Sequence, residues 1–418
     1  MHEWKGEVQK SLGKMRFPRL FGCPRRLCEW QNMRPVVGII CEYDPFHLGH
    51  RRQLSLIRDA LPGARILCLM SGCFTQRGMP ALHPPAARAE AALRAGADCV
   101  VELPCAFAVR DAENFALGGV EIFDRLGFVT HLCFGAESDA ATLLPAASLL
   151  EAPDGAFSAS LRRELASGAS FAAAQGRALA GRFPDLSEAF DKPNNILALC
   201  YLRALIRLKS AILPLPVKRL GSYHEPDLRA DAFPSATAVR AAFLNGDLLA
   251  ASGACGYDLP SAPVCRPGAL DRVLLARLRA MPPDELAGLP LCSEGLENRL
   301  AECARSAVTR DGLIEALKTK RYARARLSRL CCHALLEVTG ALLTAHPSPE
   351  YVRLLGFRRE SSELLSCFRQ SRIPLIAKAA DGDPGHPLYR LDLRAYDLWA
   401  LGADMPAGLM CRQRVVVV

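Results

Sequence analysis

Short apolar runs alternate with amphipathic stretches from Val36 to about Arg219. Val36–Cys41, Ile66–Ser71, Cys99–Leu103, Leu132–Gly135 and Pro216–Leu220 are nearly continuous apolar segments, the signature of strands buried on both faces. Between the first two, Leu54, Ile57, Ala60 and Leu61 share one helical face, and Pro62-Gly63 ends it. A second helix is predicted over Ala86–Arg94, after Pro84-Pro85 and before Gly96, and a third over about Asp111–Arg125. Strand–helix–strand repetition predicts a parallel sheet with helices on both faces, an α/β and Rossmann-like architecture. Residues 141–210 read as mostly helical. The stretch Leu259–Gly268, with Pro260, Pro263 and Pro267, reads as a linker. Beyond it helical periodicity dominates, with short extended pieces near Tyr351–Phe357 and Ile373–Ala377. The expected organisation is a loose basic extension over 1–32, an α/β domain over 33–258 and a mainly α-helical domain over 259–418.

Composition narrows the picture. Of 418 residues, 50% are hydrophobic and 23% charged, which excludes wholesale disorder. No run reaches the roughly 18 apolar residues of a spanning helix, so an integral membrane protein is not expected. The formal charge of +9 is mild and permits a polyanionic partner without demanding one. Lys5, Lys10, Lys14, Arg16, Arg19, Arg25 and Arg26 against Glu3, Glu7 and Glu29 place much of that excess ahead of the first strand. The fold is expected to start near Met33. Seventeen cysteines without a single Cys-x-x-Cys pair read as reduced, mostly buried thiols of a cytoplasmic protein, and no metal-ligand set is read.

Chemistry concentrates after the first strand, in Cys41-Glu42-Tyr43-Asp44-Pro45-Phe46-His47-Leu48-Gly49-His50. In an open parallel sheet, ligands bind at the carboxyl ends of strands. The helix that begins here adds partial positive charge and unpaired N–H groups, which suit phosphate. Gly49 lets a base or phosphate approach the backbone, and two imidazoles can donate to oxygens that gain charge in nucleotidyl transfer.

This pattern resembles the HIGH motif of the nucleotidyltransferases, with Leu48 in the second position. A wider set of blocks is similar to the bacterial tRNA(Met) cytidine acetate ligase family. It comprises Glu42–His50, Met70-Ser71-Gly72-Cys73-Phe74-Thr75-Gln76-Arg77-Gly78, Arg88-Ala89-Glu90, Gly96-Ala97-Asp98 and Val101-Glu102-Leu103-Pro104. It continues through Phe134-Gly135-Ala136-Glu137, Pro193-Asn194-Asn195-Ile196-Leu197, Ser235-Ala236-Thr237, Glu294–Arg299 and Leu355-Gly356-Phe357. The likeness runs from about Val36 to beyond Lys378. It implies an ATP-dependent ligase that turns acetate into acetyl-adenylate and transfers the acetyl group to the wobble cytidine of elongator tRNA(Met), giving N4-acetylcytidine. ATP is then a substrate, with Mg²⁺ as an optional companion, and tRNA and acetate are the partners.

The resemblance also distributes roles. Ile40, Cys41, Glu42, Tyr43, Asp44, Pro45, Phe46, His47, Leu48, Gly49, His50, Arg51, Arg52 and Gln53 would wrap ATP, with His47 and His50 on its phosphates. Gly135 would sit against the nucleotide, Asn194 or Asn195 would bind it from a helix start, and Arg219 would supply charge. Ser235, Thr237 and Arg240 resemble a second phosphate motif. Read alone, Asn194, Asn195 and Ser235 suit helix capping equally well. Two departures stand out. Asp44 replaces a usual Asn, and Pro85-Ala86 replace a usual Lys and its aromatic or His neighbour, for which Arg77, Arg88 or Mg²⁺ would compensate.

For RNA, Arg77 lies in a loop after the second strand. Lys318-Thr319-Lys320-Arg321-Tyr322-Ala323-Arg324-Ala325-Arg326-Leu327-Ser328-Arg329 has six basic residues and no acid. As one helix it would bury Ala316, Ala323, Leu327, Leu330 and Ala334 and turn Lys318, Lys320, Arg321 and Arg324 outward, with Arg353, Arg358, Arg359 and Arg369 extending the patch. Two other functions fit parts of the pattern: a nucleotidyltransferase acting on a small phosphorylated cofactor, and a non-catalytic tRNA-binding protein.

Overall fold

Among the described residues, eight strands form one sheet: β5 (Leu213–Lys218), β4 (His131–Ala136), β1 (Val36–Cys41), β2 (Arg65–Ser71), β3 (Cys99–Leu103), β6 (Val352–Phe357) and β7 (Leu375–Ile376) in that order, with β8 (Val416–Val417) also paired to β6. The computed structural model describes the chain apart from residues 1–33, 139, 170, 185–191, 219–234, 256–261, 294 and 320–321. The expected N-terminal extension, Arg219, Lys320 and Arg321 therefore lie outside the described residues. Strands β1 (Val36–Cys41), β2 (Arg65–Ser71), β3 (Cys99–Leu103), β4 (His131–Ala136) and β5 (Leu213–Lys218) pair in parallel, as the alternation of apolar runs and helices predicts.

β1 explains the layering. Val37, Ile39 and Cys41 face one core with Leu54 and Ile57 of α1 (Leu48–Ala60) and Ala89 and Ala92 of α2 (Pro85–Arg94). Val36 and Ile40 face the other, with Phe115, Val120 and Phe123, beyond the short helix α3 (Cys105–Ala108), on α4 (Ala112–Leu126). Period-two alternation thus feeds two apolar layers at once. α4 lies close on β1: a Cβ at Gly38 would come within 2.6 Å of the Phe123 ring, and one at Gly119 within 2.6 Å of Ile40. After β4 come α5 (Ala140–Glu151), α6 (Gly155–Ala166), α7 (Phe171–Arg182) and α8 (Pro193–Arg207), the helical block read over 141–210.

Past β5 the chain forms α9 (Ala236–Leu244), α10 (Leu248–Cys255), α11 (Asp271–Ala280), α12 (Pro283–Ala287), α13 (Leu296–Ser306), α14 (Arg310–Leu317), α15 (Arg324–Leu336) and α16 (Gly340–Ala345). It then returns to the sheet. β6 (Val352–Phe357) runs antiparallel to β3, and β7 (Leu375–Ile376) and β8 (Val416–Val417) pair with β6. α17 (Glu363–Phe368), α18 (Pro387–Gly402) and α19 (Leu409–Arg412) complete this part. The two extended pieces expected near 351–357 and 373–377 are present. Their periodicity carried no information about which sheet they would join.

A buried ionic group anchors the junction. Arg353 of β6 donates to Glu102 of β3 at 2.6 Å and stacks on Tyr396 of α18 at 4.7 Å. Arg353 is 4% exposed, so it cannot belong to the outward basic patch in which its charge suggested a place. The cysteines of the described residues are free thiols, mostly buried. Among the described residues no helix is long and apolar enough to cross a membrane.

Candidate active site

The strand order reverses beside β1. From β1 the chain steps to β2 and β3 on one side, then to β4 and β5 on the other. Crossovers that leave in opposite directions open a crevice above the carboxyl ends of β1 and β4. A cleft of about 390 Å³ occupies that position, a size suited to a small ligand. Ile40, Cys41, Glu42, Tyr43 and Asp44 line it from the end of β1, and His47, Gly49, His50, Arg52 and Gln53 line it from α1. Pro45, Phe46, Leu48 and Arg51 do not contribute to the lining. Phe46 is buried with its ring edge-on to Tyr43 at 4.9 Å, and Arg51 is exposed on α1. Tyr43 holds a left-handed φ of 50°, a strained conformation for a bulky residue, in the turn that hands β1 over to α1.

The two histidines cap the helix they open. His47 Nδ1 accepts from the Gly49 N–H at 3.0 Å, and His50 Nδ1 accepts from the His47 N–H at 3.3 Å. Their rings stack with centroids 3.8 Å apart. A neutral imidazole that accepts at Nδ1 carries its proton at Nε2. The reciprocal cap therefore fixes both tautomers and makes Nε2–H the donor side of each ring.

Asp44 is 4% exposed. Its Oδ1 accepts from the Leu82 N–H at 2.7 Å, and its Oδ2 pairs with Arg240 Nη1. The negative charge that replaces the usual amide is thus balanced by the arginine of α9. Arg240→Ala is expected to lower stability by about 3 kcal/mol, because a buried carboxylate loses its cation. Adding Asp44→Asn should restore most of that loss, since the amide oxygen still accepts from Leu82. Urea denaturation of the single and double variants checks this, and a double variant no more stable than Arg240→Ala would contradict the pairing. Glu42 accepts from the Gln76 N–H at 2.6 Å, yet burial pushes its carboxyl above the usual range.

Arg88 cannot supply the charge absent at Pro85-Ala86. It is fully buried and donates to the backbone carbonyls of Glu42, Gly72 and His83. It ties the ends of β1 and β2 to the start of α2, so its charge is turned inward.

On the β4 side, Gly135 lines the cleft, and a Cβ built there meets nothing within 4 Å. The two asparagines at the start of α8 divide. Asn194 lines the cleft and donates to Glu137 Oε1 at 2.6 Å. Asn195 is fully buried, and its Oδ1 accepts from the Glu137 and Ser138 N–H groups at 2.9 and 3.1 Å. Asn195 therefore shapes the turn after β4 from below. Ser235 caps α9 by accepting from the Ala238 N–H at 3.1 Å, and Ser235, Thr237 and Arg240 all line the cleft. Capping and lining coexist at this residue.

Among the described residues, the N-termini of four helices, α1, α4, α8 and α9, thus contribute to one cleft. Arg52, Arg77, Lys218 and Arg240 add positive charge, against Glu42 and the neutralised Asp44. Leu56, Phe115, Phe134, Leu197, Tyr201 and Val217 add apolar surface. Such a site can hold a flat base on apolar side chains and a polyanion on N–H groups and cations. Lys218, Tyr201 and Phe115 escaped the sequence reading. Lys218 was legible only as a mid-strand residue, because the strand was expected to run on to Leu220. Tyr201 and Phe115 looked like ordinary core positions of helices.

The turn carrying Arg77 rests on the C-terminal helices. Ser328 Oγ donates to the Arg77 carbonyl, and Arg310 Nη2 donates to the Gly78 carbonyl at 3.0 Å. Gly78, at φ 71°, packs so closely that a Cβ would come within 2.6 Å of the Ser328 carbonyl. The basic run is not a single helix. α14 ends at Leu317 and α15 starts at Arg324, so Leu327, Leu330 and Ala334 are buried while Ala316 and Ala323 are exposed. Lys318 pairs with Glu315, and Arg324 pairs with Asp311 and Glu315. Tyr322 is buried, and Arg326 lies 5.0 Å over its ring. Acids from the preceding helix, absent from the run itself, offset much of its charge.

The chain is similar to known proteins over most of its length. The model of the HIGH Nucleotidyl Transferase family matches residues 34–409. The tRNA(Met) cytidine acetate ligase of Acetivibrio thermocellus is 34% identical over 367 residues, covering 83% of this chain and 88% of that protein. Its namesake from Clostridium perfringens is 34% identical over 384 residues, covering 87% and 94%. The crystal structure of Thermotoga maritima TmcAL in its apo form superposes with a TM-score of 0.83 at 29% identity, over 92% of this chain and 99% of that one. The same protein bound with alpha-thio ATP gives 0.80 at 28% identity, over the same shares.

Proposed function

We infer the activity from kinship: this chain belongs to the tRNA(Met) cytidine acetate ligase family, within the HIGH nucleotidyl transferases. We propose that it joins acetate to the wobble cytidine of elongator tRNA(Met) at the expense of ATP. An acetate oxygen attacks the α-phosphorus of ATP. The bond to the β-phosphate breaks, and pyrophosphate leaves. The exocyclic amine of cytidine then attacks the acetyl carbon, the bond to AMP breaks, and the amine loses a proton. Adenylation supplies the leaving group that a free carboxylate lacks.

In this reading His47 and His50 donate from Nε2 to phosphate oxygens that gain charge as pyrophosphate departs. Arg240 engages Asp44 through Nη1, so Nε and Nη2 of its fork remain for phosphate. Arg219 would add charge beside Lys218. Gly135 and Asn194 would lie along the nucleoside. Mg²⁺ would ride on the triphosphate; of the carboxylates that line the cleft, Asp44 is held by the Leu82 N–H and Arg240, while Glu42 accepts the Gln76 N–H through Oε1. The observation that carries the reading is the meeting of the N-termini of α1, α4, α8 and α9 and a tautomer-fixed imidazole pair in one cleft at the strand reversal.

Nucleoside mass spectrometry after incubation of tRNA with protein, ATP and isotopically labelled acetate tests it. Labelled N4-acetylcytidine with equimolar pyrophosphate is the expected result. Pyrophosphate release that needs a small phosphorylated acceptor and no tRNA would replace this reading, as would tight tRNA binding without pyrophosphate. Arg77, exposed at the lip on a turn braced by α15, is proposed to touch the tRNA backbone. Arg77→Ala should weaken tRNA binding and reduce its salt slope by about 1. An unchanged slope removes Arg77 from the interface.

A further inference from the structure

Three side chains of the C-terminal segment converge away from the nucleotide cleft. His346 caps the end of α16, Glu350 precedes β6, and His386 stands at the N-cap of α18. His346 Nδ1 lies 2.7 Å from Glu350 Oε1, and His386 Nε2 lies 2.7 Å from Glu350 Oε2. One ligand atom from each residue falls within 4.8 Å of the other two. Neither imidazole has a second hydrogen-bond partner among the described residues, and His386 Nδ1 is buried.

We propose that His346, Glu350 and His386 bind a divalent transition metal ion of the zinc class. Two imidazole nitrogens and one carboxylate suit Zn²⁺ or Co²⁺, whereas Mg²⁺ prefers oxygen ligands throughout. The Glu350 side chain is 40% exposed, so water can complete the coordination. Ligation through His386 Nε2 moves that ring's proton to the buried Nδ1, where no acceptor stands among the described residues. Lacking that supporting bond, the site is expected to bind in the micromolar range rather than tighter. None of the three residues lines the nucleotide cleft, and β2 and β3 separate β6 from β1. At the usual strand spacing this is about 14 Å of sheet. The ion's role is therefore structural. It clips the end of α16 and the start of α18 to the entrance of β6, the strand through which the C-terminal segment joins the sheet.

Full-length protein, stripped with chelator and titrated with Co²⁺, tests the site. The expected result is one Co²⁺ per chain, with the strong visible absorption of four-coordinate cobalt, no thiolate charge-transfer band, and displacement by Zn²⁺. His346→Ala and Glu350→Gln should each weaken binding by at least about 100-fold. Zn²⁺ should raise the melting temperature of the parent protein and not that of either variant. Three results overturn the proposal. One is no spectral change up to millimolar Co²⁺, which leaves a hydrogen-bonded bracket only. Another is a thiolate band, which assigns the ion to cysteines such as the exposed Cys411. The third is binding that survives His346→Ala.

Discussion

Gly135→Leu is expected to melt no lower than its parent and to lose most of its affinity for ATP. The backbone of β4 tolerates the change, because a Cβ at residue 135 meets nothing within 4 Å. Replacing glycine inside a strand removes unfolded-state entropy, which favours the fold by roughly 0.5–1 kcal/mol. The added isobutyl group, however, projects into the cleft of about 390 Å³ in which the proposed reaction places ATP. Affinity for ATP is expected to fall by at least ~100-fold, about 2.7 kcal/mol, with Gly135→Ala intermediate. Titration calorimetry and a thermal melt of the same samples read both halves. An unchanged Kd for the leucine variant would place the nucleotide elsewhere.

The second expected result concerns the paired imidazoles, which carry two loads: they cap α1 and, in the proposed reaction, also donate to phosphate. His50→Ala removes an Nε2 donor and also one arm of the reciprocal cap on α1. The acetylation rate is expected to fall about 10²–10³-fold, the usual consequence of losing one donor to developing charge. Stability falls by only about 1 kcal/mol through the cap, and tRNA affinity changes little. His47→Asn separates the loads, because asparagine is a good N-cap and can accept from the Gly49 N–H, but it lacks the imidazole donor. That variant should melt with the parent and still acetylate slowly. Full activity in His47→Asn would reduce His47 to a capping residue.

These expectations rest on features that were unequally legible along the chain. β1 to β4 and their helices could be drawn from apolar runs, Pro and Gly, because a strand buried on both faces and a helix buried on one leave local, periodic marks. The ligand edge followed from chain order alone. Roles of single polar residues were less accessible. Asn194 and Asn195 are adjacent and chemically identical, yet one lines the cleft and the other lies beneath the turn at Glu137. Arg88 looked like a spare cation and is sealed under three carbonyls. The basic run 318–329 looked unopposed until Asp311 and Glu315, on the preceding helix, came against Arg324.

Sequence was thus sufficient for the alternating α/β architecture, the histidine-bearing loop at the end of β1 and the placement of that loop at the sheet's ligand edge. All three depend on neighbours a few residues apart. Folding alone decided that β6 joins β3 across some 250 residues, that Arg240 neutralises Asp44, and that His346, Glu350 and His386 share one carboxylate. The first two join groups some 200 or more residues apart, and in the third His386 reaches the local His346–Glu350 pair across 36 residues; the interaction between two charges or two strand edges depends on their separation in space, which no local pattern records.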